Sequence, residues 1–168
     1  MSKYELMPIT KKGVPRAIER AERYRLLNEP RQAESICLDI LRIDPENYDA
    51  LRDLLLSLTD QFVFDAAARK VGEARKILQR LPTEYERHHY AGVITERLAK
   101  ARLGQGGPRS GFVAHQHLME AMRWYEKAEA LRPPDNDDAI LRWNSCARVI
   151  MNHHLEAEPE EHVEPVLE

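Results

Sequence analysis

The stretch VPRAIERAERYRLLNEPRQAESICLDILRIDPEN, residues 14–47, decides the fold. Apolar residues recur at helical spacing in both of its halves, which predicts two short helices at 16–28 and 31–43. The turn between them is Asn28-Glu29-Pro30. Pro45 ends the second helix because proline cannot continue a helix and restricts the residue before it. The unit is therefore a helical hairpin, and parts of its pattern recur later in the chain.

Five more helices are predicted beyond this hairpin. Thr83 and Glu86 form a T-x-x-E capping box, which marks a helix start. Pro82 and the pair Pro133-Pro134 stand where helices must end. The chain is accordingly predicted to be all-α with about seven helices. Their predicted spans are about 15–28, 31–43, 46–58, 66–81, 84–103, 113–131 and 138–154.

Two joins between these helices can be interpreted in more than one way. At 61–70 the sequence QFVFDAAARK either extends the third helix or forms a buried connector at 62–64, with Asp65 capping the next helix. At 104–111 the sequence GQGGPRSG is the strongest loop signal in the chain. It lacks the lysine of a phosphate-binding loop and follows no predicted strand. We interpret it as a helix–helix connector, with a partner-contact loop as the alternative.

Composition limits the fold class of the protein and the cellular compartment in which it is expected. The 168 residues are 43% apolar and 32% charged with only 7 Gly, and residues that favour helices dominate. Cys37 and Cys146 each lie inside a helical pattern, which predicts two buried free thiols in a reducing compartment. Neither a signal-peptide pattern nor a run of 18 apolar residues occurs. We therefore expect a cytoplasmic protein that does not enter a membrane.

The formal net charge of −3 is unevenly distributed. The tail 155–168 holds six Glu and no Lys or Arg, so the remainder carries about +3. Such a balance lacks the basic footprint of a nucleic-acid-binding protein. We predict three parts, namely an irregular leader at 1–13, a helical domain at 14–154 and an acidic disordered tail at 155–168.

The repeated pattern resembles the tetratricopeptide repeat (TPR), a 34-residue helix–turn–helix unit. In 14–47 the small and large residues at that family's spacings are Ala21, Tyr24, Ala33 and Pro45, while Cys37 and Ile40 depart from its pattern. A second match is AMRWYEKAEALRP, with Ala121, Tyr125, Ala128 and Pro133. The middle of the chain matches loosely, with an apparent insertion of very roughly 15 residues around the glycine-rich stretch.

This resemblance implies a helical-hairpin solenoid of three and a half degenerate repeats. TPR proteins generally bind peptides or partner proteins on a concave face lined by the first helix of each pair. Here those positions mix acidic and basic residues and lack the Lys-Asn-Arg clamp of members that bind chaperone tails, so no chaperone tail is expected. The partner-binding residues implied by the resemblance are Glu19, Glu22, Arg25, Arg52, Asp53, Leu56, Arg142, Ser145 and Arg148.

Histidines are the candidates for chemistry, because imidazole binds metals and acts as a general base. They form three clusters, His88-His89, His115/His117 and His153-His154. Neighbours one or two residues apart on a helix point in different directions, so no pair has the spacing of a zinc-binding helix. We therefore interpret them as separate surface histidines, and expect no metal or cofactor.

Two hypotheses about function follow. The first is a non-catalytic adaptor that binds a peptide or partner protein on the concave face. The alternative is a helical protein with a metal-dependent or catalytic site built from the histidine clusters. The last helix has no following partner in the repeat pattern, so its apolar face, with Trp143 and Ile150, is a possible site for a homodimer or for the folded-back tail.

Overall fold

A computed structural model describes residues 3–64 and 68–161. Within these ranges the chain forms a short 3-10 turn at Lys11–Gly13 and seven α-helices, with no strand, which confirms the predicted all-α class. The helices are α1 (Val14–Leu26), α2 (Pro30–Ile43), α3 (Tyr48–Asp60), α4 (Ala68–Leu78), α5 (Glu84–Gln105), α6 (Ser110–Ala130) and α7 (Asp138–Asn152).

The first hairpin forms as its sequence indicates. Pro15 and Pro30 occupy the first turns of α1 and α2, where a missing N–H has no consequence. Asn28 has a φ of 61°, a left-handed conformation that asparagine tolerates and that ends α1 sharply. Ala21 and Ala33 are completely buried, so the two helices approach closely along these small residues.

Each helix packs mainly against its neighbours in the chain, and α3 also contacts both α1 and α5. Two apolar cores result. The first is built largely from α1 to α4, and the second from α5 to α7. Helix α5 contributes to both, because Ala91 and Ile94 belong to the first core whereas Val93 and Ala99 belong to the second.

The closest approach in the fold is between α5 and α6. A Cβ placed on Gly92 would lie 2.5 Å from Cε1 of Tyr125, a distance that atoms cannot adopt. The tyrosine ring, itself completely buried, therefore lies directly on the glycine backbone. These two residues set the separation of the two longest helices in the described chain.

The predicted long loop at 104–111 is wrong in extent. Helix α5 continues through Gln105 and α6 begins at Ser110, so only 106–109 connect them. Gly106 and Gly107, with φ values of 70° and 100°, make the tight reversal that only glycine adopts easily. The apparent insertion is thus mostly extra helix at the end of α5 and the start of α6.

The join after α3 is only partly as predicted. Phe62 is buried in the first core, but Val63 and Phe64 are 59% and 68% exposed, so a fully buried connector at 62–64 is wrong. Helix α3 ends at Asp60 and does not extend through the join. The predicted cap Asp65 lies outside the described residues.

Capping agrees with the sequence at α5 and differs at α7. The predicted box is confirmed, because Thr83 Oγ1 accepts from the Glu86 N–H and the Glu86 carboxylate accepts from the Thr83 N–H. At α7 the side chain that bonds the helix start is an amide, although the sequence there is rich in carboxylates. Asn136 Oδ1 accepts from the N–H of Asp138, at 3.0 Å.

Described segments on either side of the helices also contact them. Near the start, Ile9 packs on the first core. After α7, Leu155 packs on the second core, and Arg109 forms an ion pair of 2.7 Å with Glu158. The predicted disorder at 162–168 falls outside the described residues. A dimer through α7, two of whose apolar side chains (Leu141 and Met151) are exposed, stays a prediction.

In the described part of the chain, every helix is too short or too polar to span a bilayer.

Gly92→Ala should destabilise the protein by about 1–3 kcal/mol, because the new methyl group overlaps the Tyr125 ring in a filled core. Urea unfolding followed by far-UV circular dichroism measures the change. Gly104→Ala, in the same helix with open space around its Cα, is the control and should stabilise slightly. Equal effects from the two substitutions would show that the close contact does not limit packing.

Candidate functional site

Charged side chains link the alternate helices α1, α3, α5 and α7, and we call the surface they share the odd-helix face. Arg52 of α3 donates to Glu22 of α1 at 2.9 Å, and it also pairs with Asp49 and Asp53 on its own helix. One guanidinium therefore pairs with three carboxylates on the first two of these helices. Such a group holds its geometry better than an isolated surface pair.

A second cluster joins three helices. The carboxylate of Asp60, at the end of α3, accepts from Arg25 of α1 at 2.9 Å and from Arg97 of α5 at 3.1 Å. All three side chains are largely shielded, with 17–30% exposed. Low exposure reduces solvent screening, so these pairs contribute more than exposed ones.

The third cluster surrounds a carboxylate with no exposed area, that of Glu96 on α5. It accepts from Tyr125 Oη at 2.6 Å and from Lys100 Nζ at 2.5 Å, and Arg142 of α7 lies 3.5 Å away. Burial alone would raise the pKa of Glu96. Its hydrogen bonds from Lys100 and Tyr125, with the charges of Lys100 and Arg142, outweigh burial and hold the pKa below its usual value. Glu96 is therefore ionised in the folded protein at neutral pH.

The structure distributes the predicted partner-binding residues between surface and interior. Glu19, Glu22 and Arg148 are exposed. Asp53 is 2% exposed, so its side chain is part of the interior. Burial raises the pKa of Asp53 despite the neighbouring Arg52. The other predicted residues are partly exposed, namely Arg25, Arg52, Leu56, Arg142 and Ser145. The three arginines form the ion pairs described above, and Leu56 packs on the second core.

A cavity of about 390 Å³ opens at the carboxyl ends of α1 and α3, and we call it the basic cavity. Arg25, Arg97 and Lys100 line it together with a single carboxylate, Asp60. Two apolar side chains, Leu26 and Val63, stand exposed at its edge. The combination suits an acidic group carried on an apolar segment.

A second cavity, of about 370 Å³, lies at the amino-terminal ends of α3, α5 and α7. We call it the tyrosine cavity. Its lining includes Tyr48, Tyr85, Glu86, His89, Tyr90 and Asp138. The His89 ring stacks on Tyr85 with centroids 5.9 Å apart and meets Tyr90 edge-on at 5.0 Å. The two cavities therefore differ in both position and charge.

The histidine clusters do not converge. His88 turns away from His89 to stack on Trp124 at 5.5 Å and to pair with Glu84. His89 points among the tyrosines instead and is buried, so the prediction of a surface histidine is wrong for this residue. In the ranges 3–64 and 68–161, no group of three or more His, Cys, Asp or Glu is placed to hold a metal ion.

Neither thiol is suited to nucleophilic chemistry. Cys37 and Cys146 are both buried and unlinked. Burial, the main cause, raises the pKa of each to about 12, so both are protonated at neutral pH.

Sequence reasoning missed five charged residues of these clusters, namely Asp49, Asp60, Glu96, Arg97 and Lys100. One apolar stripe of α5, which contains Ile94 and Ala101, faces the first core. A second buried stripe contains Val93 and Ala99, and Glu96 lies three residues from each. A charged residue bracketed by small apolar residues at that spacing was the available signal.

Comparison with known proteins does not identify a site, since no family model, curated protein or solved structure matches the chain.

Glu96→Gln should lower the free energy of unfolding by about 2 kcal/mol at pH 7, because the charge that compensates Lys100 and Arg142 is lost. A carboxylate whose folded pKa lies below its unfolded value stabilises above that unfolded value, and the effect disappears as pH falls through the folded pKa. The deficit of the variant should therefore shrink below about pH 4.5. Urea unfolding from pH 7 to pH 3 measures it.

The exposed Glu19→Gln on α1 is the matched control and should change stability little at any pH. A deficit for Glu96→Gln that stays constant down to pH 3 would contradict the ionised state assigned to Glu96.

Proposed function

We propose that this protein is a non-catalytic adaptor, a TPR-like helical-hairpin solenoid that binds a peptide or protein segment on its odd-helix face. The observation that carries the proposal is the row of charged side chains running from Glu22 through Arg52, Asp60 and Arg97 to Arg142. Its ion pairs join α1 with α3, α3 with α5 and α5 with α7, and Tyr125 of α6 adds a neutral hydrogen bond to Glu96, the partner of Arg142.

Packing supports the solenoid. Contacts run between neighbours in the chain, and the first helices of successive hairpins touch as well, α1 with α3 and α3 with α5. Completely buried alanines of the repeat pattern lie at these contacts, including Ala21, Ala33, Ala121 and Ala128. Three hairpins and the unpaired α7 correspond to three and a half repeats.

The chemistry of the basic cavity indicates the class of partner. Three cationic side chains face one carboxylate there, so the local charge is positive. Arg25 and Arg97 are held in place by Asp60, which reduces the entropy lost when they bind an anion. A partner segment with Asp, Glu or a terminal carboxylate beside an apolar residue fits this arrangement.

Catalysis and a metal centre gain no support from the described residues, since the histidine rings diverge and both thiols are buried and protonated. The exposed residues Glu19 and Arg148 lie on α1 and α7, at the two ends of the odd-helix face. Binding on this face would bring a partner within reach of both.

Photo-crosslinking tests the face directly. A benzoylphenylalanine placed at Glu19 or Arg148 should crosslink to the partner in cells, because both positions are exposed on odd-numbered helices. Ser35 on α2 and Arg123 on α6 are equally exposed controls on the alternate helices. Mass spectrometry of the adducts identifies the partner. Crosslinks found only from α2 and α6 would overturn the assignment of the face.

Charge reversal at Arg97 tests the basic cavity. Arg97→Glu should reduce capture of the partner at least about tenfold, because it replaces an attraction with a repulsion next to Asp60. Quantitative pull-down at two salt concentrations measures this, and wild-type capture should weaken as salt rises. Arg102→Glu, on the exposed side of the same helix, should leave capture unchanged. Equal losses from both would mean that overall charge, and not the cavity, controls binding.

A further inference from the structure

The tyrosine cavity carries a chemistry that the adaptor proposal does not use. Among the described residues that line it, Glu86 and Asp138 are acidic and none is Lys or Arg. The nearby guanidinium of Arg52 lies 5.8 Å from the Tyr48 ring but is already paired with three carboxylates. The cavity is therefore negative overall.

Three tyrosine rings, Tyr48, Tyr85 and Tyr90, contribute to the walls. The face of an aromatic ring is electron-rich and attracts cations within about 6 Å of its centroid, most strongly where water is displaced. Each of these rings is partly buried. Rings and carboxylates together are the two features that stabilise an organic cation.

A buried polar group without a hydrogen-bond partner is a second indication of a ligand, independent of the rings and carboxylates. His89 is only 8% exposed, and its Nδ1 has no hydrogen-bond partner in the described structure, nor has Oη of Tyr85. Burial, followed by the positive charge of Arg142, lowers the pKa of His89, so its imidazole is neutral at pH 7. A neutral ring with its proton on Nε2 accepts a hydrogen bond at Nδ1. An N–H donor is the complementary partner.

The amino-terminal ends of helices normally favour anions. At this cavity one N–H of each helix is already bonded by a side chain. Asn47 caps α3, the Thr83–Glu86 box caps α5, and Asn136 accepts from the first N–H of α7. Acidic side chains in the first turns further offset the dipoles, and Glu86 and Asp138 are among them.

We propose that the tyrosine cavity binds an organic cation, a guanidinium or alkylammonium group, between its tyrosine rings and the carboxylates of Glu86 and Asp138. The group is either a free small molecule or the side chain of a basic residue in a partner segment. Only the second source rests on the proposed adaptor function, so the site can exist without it.

Isothermal titration calorimetry on the full chain tests the proposal. N-acetylarginine amide should bind saturably, whereas N-acetylcitrulline amide, nearly the same shape without charge, should not. The peptide acetyl-Gly-Gly-Arg-Gly-Gly-amide separates the sources. Tighter binding of the peptide than of the amide indicates a partner side chain, and equal or weaker binding indicates a free cation. Failure of the crosslinking experiment above would leave the amide result unaffected.

Glu86→Gln with Asp138→Asn should weaken binding of the arginine amide about tenfold, because both anionic charges are removed while the shape is retained. Glutamine also preserves the capping box, so the helix start should stay intact. Glu120→Gln, a carboxylate at the separate cavity between α4 and α6, is the control and should not alter affinity.

Three results would overturn the proposal. They are equal binding of the citrulline amide, saturable binding of inorganic phosphate in place of the cation, and no saturable binding of the arginine amide below about 10 mM.

Discussion

The hydrogen bond from Tyr125 to Glu96 is the interaction on which the second half of the molecule depends. A carboxylate with no exposed area stabilises a fold only when its charge is compensated and its oxygens are bonded. Here Tyr125 and Lys100 occupy the two oxygens, and Arg142 adds charge from α7. The tyrosine reaches that position because Gly92 lets its ring lie against the α5 backbone. Three helices are thereby held by one buried group.

Charge along the rest of the molecule is ordered by the same helices. Helix α3 has 13 residues and is about 20 Å long. Tyr48 at its start lines a cavity with acidic and aromatic walls, and Asp60 at its end lines one with three cations. Arg52 lies between them and is paired with three carboxylates. The surface therefore offers opposite charges at two separated places, so the charge pattern of a partner segment would set the direction in which it binds.

How far the sequence predicts this structure depends on the range of each interaction. The hairpin at 14–47 and the Thr83–Glu86 cap are local, and both were predicted from residue spacing alone. The glycine-rich stretch misled, because helix propensity and packing extend α5 to Gln105. The contacts of Glu96 join residues up to 46 positions apart, and no short pattern encodes that closeness. Asp53 illustrates the same difficulty, since the repeat resemblance implied that it lies on a binding face, whereas packing buries it.

Helix α5 has apolar neighbours on both sides, because Ile94 contacts the first core and Val93 the second. The chain therefore cannot be divided into two fragments that are each complete. A break before α5 would leave the helices α1 to α4 without one wall of their core, and a break after it would strip α6 and α7 of theirs. Although its helices pack mainly against their neighbours in the chain, the described part of the molecule has no internal break that would leave two complete cores.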